Sequence, residues 1–169
     1  MLKNFSIYNL LWLLIQLLIE VNCQQTVPFK PPKRNSHTAT FINEKLYILG
    51  GRLFGGVKTN NDEFTGKQFF YLDVSVSFNT QKLLWQDLTN INAVPSHYEA
   101  TSVNGGASNN TLFLYGGFGI KEPDLVHAFD TKTNSWSVPK TMGGTLISLT
   151  GIVDYNGKMY LFSGYNGQN

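Results

Sequence analysis

One phrase occurs three times in this chain and constrains the fold more than any other feature. Leu46-Tyr47-Ile48-Leu49-Gly50-Gly51 returns as Leu112-Phe113-Leu114-Tyr115-Gly116-Gly117, and again as Met159-Tyr160-Leu161-Phe162-Ser163-Gly164. Each copy is a short apolar and aromatic run closed by two small residues. Recurrence at intervals of tens of residues marks a repeat architecture, in which single units cannot bury their apolar faces alone and must stack.

The surroundings of the phrase repeat as well. A lead strand is expected before each copy: His37 to Ile42, His97 to Val103 and Ser148 to Asp154. Turns should join each lead strand to the phrase. Tyr155-Asn156-Gly157-Lys158 is the clearest, because Asn-Gly accepts the positive φ of a two-residue hairpin. Ile42-Asn43-Glu44-Lys45 holds the same place in the first unit, and the longer Asn104 to Asn110 in the second. Third strands are expected at Phe70 to Phe78, where alternation gives one apolar face, and at Leu125 to Asp130. Fourth strands carry a tryptophan, at Leu83 to Asp87 and Ser135 to Val138. Leu53 to Lys67 reads as an insertion after the first Gly-Gly, and so as a surface loop.

These marks resemble the kelch repeat, in which a strand ending in a double glycine precedes a strand with a polar end and then a tryptophan. The residues that carry the resemblance are Gly50, Gly51, Asp73 and Trp85 in the first unit. In the second they are Gly116, Gly117, Asp130 and Trp136, and Gly164 opens a third. The resemblance implies an all-β chain: a partial kelch-type β-propeller of about two and a half four-stranded blades. Blades are expected at residues 37–92, 93–140 and, incompletely, 141–169. The glycines and tryptophans are expected to be structural, glycine for close backbone approach and tryptophan for a large apolar plate. Propellers close with about 4–8 blades. The chain is therefore expected to be part of a longer propeller, or to associate with copies of itself through open blade faces.

Residues 1–23 have the layout of a cleaved signal peptide: Lys3, an apolar Leu10 to Ile19, and Val21 and Cys23 before the cut. Cys23 is the only cysteine, so the mature chain would have none. That leaves it without disulfides, zinc-thiolate sites or a cysteine nucleophile. Residues 24–36, with Lys30, Lys33 and Arg34 among prolines, read as a solvated, extended lead-in. A net charge of +2 is too small for a nucleic-acid footprint.

No catalytic, cofactor-binding or metal-binding residue stands out. His37 and His97 begin lead strands at corresponding places, which suits a structural role. His127 lies near Asp124 and Asp130 with spacing too loose for a metal cluster. Asn109-Asn110-Thr111 is a glycosylation acceptor in an expected turn. Asn60, Asn61, Asp62 and Glu63 form the tip of the inserted loop, the best single candidate for a binding loop. The expectation is a secreted or cell-surface interaction module for a protein or glycan ligand, with no cofactor, and with a membrane role only if an anchor follows. The alternative is the scaffold part of a kelch-type sugar oxidase or isomerase whose catalytic residues lie in other blades.

Overall fold

The computed structural model describes residues 7–16, 28–54, 66–120, 126–139 and 146–165. A helix covers residues 7–16 with its apolar side chains in the open. Among the described residues no helix is long and apolar enough to cross a membrane. The rest is built of short strands: β1 (Arg34–Asn35), β2 (Thr38–Ile42), β3 (Lys45–Leu49), β4 (Arg52–Leu53), β5 (Phe69–Asp73), β6 (Trp85–Asp87), β7 (Thr101–Gly105), β8 (Thr111–Tyr115), β9 (Val126–Asp130), β10 (Ser135–Ser137), β11 (Ile147–Val153) and β12 (Met159–Tyr165).

Two four-stranded antiparallel sheets follow in chain order, β2-β3-β5-β6 and β7-β8-β9-β10, and β11-β12 begins a third. These are two kelch-like blades and half of another. Local chemistry sets their turns. Asn43 and Glu44 both take positive φ, 48° and 59°, the left-handed pair that a two-residue hairpin needs. The third blade differs from the two-residue Asn-Gly hairpin expected there: Gly157 is left-handed at φ 78° but Asn156 is not, and Asp154 N–H donates to Lys158 O at 3.0 Å across a longer turn. Asp130 ends β9 by accepting the N–H groups of Lys132 and Thr133 at 2.8 and 3.1 Å.

The lead strands are innermost. Ser102 of β7 meets Thr40 of β2 in a hydroxyl hydrogen bond. On its other side, Thr101 Oγ1 accepts the N–H of Gly151 in β11 at 2.9 Å. A blade thus has two buried faces, and strand residues alternate between neighbours. Tyr47 and Phe69 of the first blade meet Phe129 and Trp136 of the second. Phe69 stands edge-on to Phe129 at 4.8 Å and to Trp136 at 5.4 Å. Leu49, Leu112, Leu114 and Val94 complete this core.

Three expectations are corrected. The alternation from Phe70 to Phe78 does not describe one strand with one apolar face. β5 stops at Asp73, whose carboxylate accepts the Ser75 N–H at 2.9 Å. Val76 and Phe78 beyond it are exposed, and Phe69, Phe70 and Leu72 are buried on both faces of β5. The lead-in is not simply solvated, since Arg34 and Asn35 pair with Leu53 and Arg52. Arg34 Nη1 donates to the Gly50 carbonyl at 2.8 Å and its guanidinium lies 4.7 Å from the Phe70 ring centre. Burial pushes the Arg34 guanidinium down to about 10. The inserted segment is therefore not all loop: Leu53 belongs to β4, and Gly66 returns to donate to Gly51 O at 2.7 Å.

Candidate functional site

The three small-residue doublets end their strands in one conformation. Gly50-Gly51 has φ of 68° and 94°, Gly116-Gly117 69° and 98°, and Ser163-Gly164 62° and 95°. This left-handed pair turns the chain across the start of the next blade. Gly51 donates to the His97 carbonyl at 2.8 Å, and Gly117 to the Leu146 carbonyl at 2.9 Å. A Cβ on Gly50 would stand 2.5 Å from His97 Nε2, and one on Gly116 2.2 Å from Leu146 O. Ser163, at the same place in the third unit, is exposed.

Each lead strand is entered through another left-handed residue: Ser36 at φ 51°, Glu99 at 57° and Ser148 at 54°. They form a ladder between blades. Glu99 N–H donates to Ser36 O at 2.9 Å, and Ser148 N–H to Glu99 O at 3.0 Å. This ladder fixes the correspondence of the units and corrects the pairing of the histidines. Ser36 matches Glu99, so His97 matches Arg34, and His37 matches Ala100. His97 is fully buried and His37 is exposed. Pro95 O can only accept, so His97 Nδ1 carries the proton at 2.8 Å and Nε2 is bare and without a partner. Burial holds the His97 imidazole below the usual histidine range, and His127 adds to this. The group is a neutral wedge under Gly50.

The side chain that follows each doublet is large: Arg52, Phe118 and Tyr165. Each pairs with the residue just before the ladder, as Arg52 with Asn35, Phe118 with Tyr98, and Tyr165 with Ile147. The entry ladder draws them toward one end of the blades. Tyr98 stacks on Phe118 at 5.0 Å, and the Arg52 guanidinium lies 3.9 Å from the Tyr98 ring centre. A hydrogen bond to Tyr98 holds the Arg52 guanidinium above its ordinary value, with Glu99 and Tyr165 contributing by charge. Arg52 is exposed, as are Phe118 and Tyr165 and the nearby Phe54. The result is a rigid cation–aromatic shelf on backbone pinned by the ladder. Such a surface can hold a carboxylate in the plane of the guanidinium and an apolar group against the rings.

Sequence reasoning did not single out Arg52, Tyr98 or Phe118. The available signal was the position after each doublet, filled by a large side chain in all three units.

The residues that it did single out are spread more widely. Trp136 lies in the interface between the first two blades, and Trp85 stands edge-on to Phe70 at 5.3 Å on the opposite side of the first blade. Beside Trp85 is an open cleft of about 320 Å³ with Phe29 and Leu83 in its walls and Lys30 and Lys82 at its rim. Asp73 and Asp130 cap turns at the far ends of β5 and β9 from the shelf. Asn109 is exposed in the β7–β8 turn with φ 49°. Asn60, Asn61, Asp62 and Glu63 lie outside the described residues, as do Asp124 and the cleavage point after Cys23. No group of three metal-ligating side chains occurs among the described residues.

The family profile described as the KLHDC2/KLHL20/DRC7 Kelch-repeats domain matches residues 36–169. The chain belongs to the kelch-repeat family. Kelch domain-containing protein 3 of Bos taurus and of Rattus norvegicus are each 30% identical to it over 151 residues, covering 79% of this chain and 35% of each relative. A Rho GTPase-activating protein, gacHH of Dictyostelium discoideum, is 23% identical over 120 residues, 68% of this chain and 7% of that protein. The chain thus spans about a third of the length of the first relatives. Kelch repeats generally mediate protein binding, and the kelch doublets here place the shelf on the ends of their strands.

Proposed function

We propose that this kelch array binds a protein partner through the shelf of Arg52, Tyr98, Phe118 and Tyr165, together with the loop that leaves after Phe54. The observation that carries the proposal is the grouping, at one end, of the side chains that follow the doublets, with Arg52 presented 3.9 Å above Tyr98. The Gly66 to Gly51 hydrogen bond puts the return of the inserted segment at the same end, which supports including Asn60, Asn61, Asp62 and Glu63 in the proposed binding loop. That kelch repeats generally mediate protein binding supports a protein as the partner.

Affinity capture from the source's own extracts tests this. Arg52→Glu combined with Phe118→Ala should lose the proteins that the unaltered chain retains. Lys132→Glu, in the β9–β10 turn away from the shelf, should keep them. Deleting residues 59–64 should weaken capture without unfolding the blades; the deletion stops short of Lys67, whose carbonyl accepts from Asn92 Nδ2 at 2.7 Å. Equal capture by all four proteins would refute the site.

The place of action is the secretory pathway, with residues 1–23 removed on entry. Support lies in Lys3, the apolar Leu10 to Ile19 and the small-residue positions Val21 and Cys23. Expression in a secreting eukaryotic host should yield a product that begins at Gln24 and carries a glycan on Asn109, lost in Asn109→Gln. A product retaining Met1 inside the cell would overturn this assignment.

A further inference from the structure

The lead-in and the segment after the first doublet form a small two-stranded ribbon whose faces differ in chemistry. Arg34 pairs with Leu53 and Asn35 with Arg52. Phe54 N–H donates to the Lys33 carbonyl at 3.0 Å, which carries the pairing one step further. Side chains of a strand alternate between its faces. Arg34 and Leu53 therefore share one face; both are half-buried, and Arg34 lies over the Phe70 ring of the first blade. Lys33, Asn35, Arg52 and Phe54 share the other face. All four are exposed, Phe54 by 63%.

The outer face of the ribbon meets the shelf at Arg52 and adds Lys33 to it. Lys33 stands opposite Phe54, so Arg52 is its diagonal neighbour across the ribbon. Such diagonal pairs are about 7–8 Å apart. Alternate residues of an extended chain, which point the same way, are about 6.6–6.8 Å apart, twice the rise per residue. The spacing of the two cations thus matches that of alternate side chains on an extended segment. The outer face carries no acidic residue, and among the described residues neither cation forms an ion pair with an Asp or Glu. Glu99, whose charge reaches Arg52, spends one carboxylate oxygen on the Ser148 hydroxyl at 2.5 Å.

We infer that the shelf takes an extended acidic segment of its partner, with side-chain carboxylates at alternate positions, one on Arg52 and one on Lys33. The inference rests on the shelf as the partner-binding site and names the chemistry that it reads. Charge complementarity selects the occupant: a basic segment would be repelled, and a neutral one would leave both cations unpaired. Arg52 presents its donors in a fixed fork that suits a carboxylate, because stacking on Tyr98 holds the plane of the guanidinium. Lys33 supplies a second, compact charge. Phe54 beside Lys33 and Phe118 beside Tyr98 are both exposed and take apolar side chains next to the carboxylates.

Fluorescence anisotropy on the purified chain tests the inference. The probes are peptides blocked at both ends and labelled with an uncharged dye, so that only side chains carry charge. Gly-Asp-Ser-Asp-Phe-Gly should bind about tenfold more tightly than Gly-Asn-Ser-Asn-Phe-Gly, the expected product of two exposed ion pairs. It should also bind more tightly than its isomer Gly-Asp-Asp-Ser-Phe-Gly, and its advantage should shrink as salt is added. Lys33→Gln and Arg52→Gln should each cut the preference for the acidic peptide about threefold, whereas Lys132→Gln should leave it unchanged. Lys33→Glu combined with Arg52→Glu should turn the preference toward Gly-Lys-Ser-Lys-Phe-Gly. Both positions are exposed, so near-ultraviolet circular dichroism should show the same fold in every variant. Equal binding of the acidic peptide and its amide analogue, or binding of neither, overturns the inference. So does an acidic preference that survives in the doubly reversed chain. Partners lost from affinity capture by Arg52→Glu with Phe118→Ala, alongside equal peptide binding, would keep the shelf and sink only its acidic specificity. Capture indifferent to that pair, alongside an intact peptide preference, would do the reverse.

Discussion

The doublet geometry makes a quantitative prediction about glycine. Gly116 and Gly157 both have left-handed backbone, φ 69° and 78°. A Cβ at Gly157 meets nothing within 4 Å, whereas one at Gly116 lies 2.2 Å from Leu146 O and 2.9 Å from Leu149 Cδ2. Gly157→Ala therefore measures the conformational cost alone, about 1–2 kcal/mol for a left-handed non-glycine residue. The lower backbone entropy of an unfolded alanine chain adds to the native side and offsets about 0.4–1 kcal/mol of that. Gly116→Ala carries the same term and must also move the entry to the third blade. Overpacking of that kind costs about 1–3 kcal/mol. The move stretches the Gly117 to Leu146 hydrogen bond of 2.9 Å, a further loss of about 1 kcal/mol. The expected losses are thus about 1 kcal/mol at Gly157 and about 3–5 kcal/mol at Gly116. Urea unfolding followed by tryptophan fluorescence reads both, as shifts of midpoint at constant slope. Equal losses at the two positions would refute the claim that the doublet is required by close approach to the next blade.

Other consequences follow from the same contacts. Ser163→Gly should stabilise the chain by up to about 1 kcal/mol, because it relieves a left-handed serine at φ 62° without creating a clash; destabilisation would show that the Ser163 side chain has a role of its own. Trp136→Ala should cost about 3–5 kcal/mol, since the ring bridges Phe69 and Phe129 across the blade interface. Trp136→Phe should cost much less, because Nε1 has no hydrogen-bond partner to lose; equal unfolding midpoints for the two variants would contradict this. Burial lowers the folded-state affinity of His97 and His37 for a proton. The unfolded chain then binds more protons below its own histidine value of about 6.5, so stability should fall as pH drops below that value and level off above it. His97→Asn should flatten the dependence between pH 5.5 and 7.5; an unchanged slope would assign it elsewhere.

Much of this architecture was legible because it rests on residues with few alternatives. Double glycine and strand-ending aspartate each dictate a local backbone, and their order repeats. The parts that were not legible depend on how units meet. The alternation from Phe70 to Phe78 looks like one long strand, but the Asp73 carboxylate competes for the Ser75 N–H and ends it. His37 and His97 look equivalent by distance from their strands. The left-handed residues Ser36 and Glu99 reset that count, and neither residue type advertises such a backbone. The shelf was hidden for a similar reason. Arg52, Phe118 and Tyr165 differ in chemistry and share only a position, and only the turn after each doublet and the entry ladder draw them to one end of the array.

The central claim is that the lead strands stack in order, with Ser102 facing the first blade and Thr101 the third. Disulfide trapping tests it directly. In a Cys23→Ser background, Thr40→Cys with Ser102→Cys should cross-link under mild oxidation of the folded protein, because the two side chains are in hydrogen-bond contact. Thr40→Cys with Thr101→Cys should remain reduced, since Thr101 points to Gly151 on the far side of the sheet. Cross-linking of the second pair in preference to the first would contradict the blade order and everything built on it.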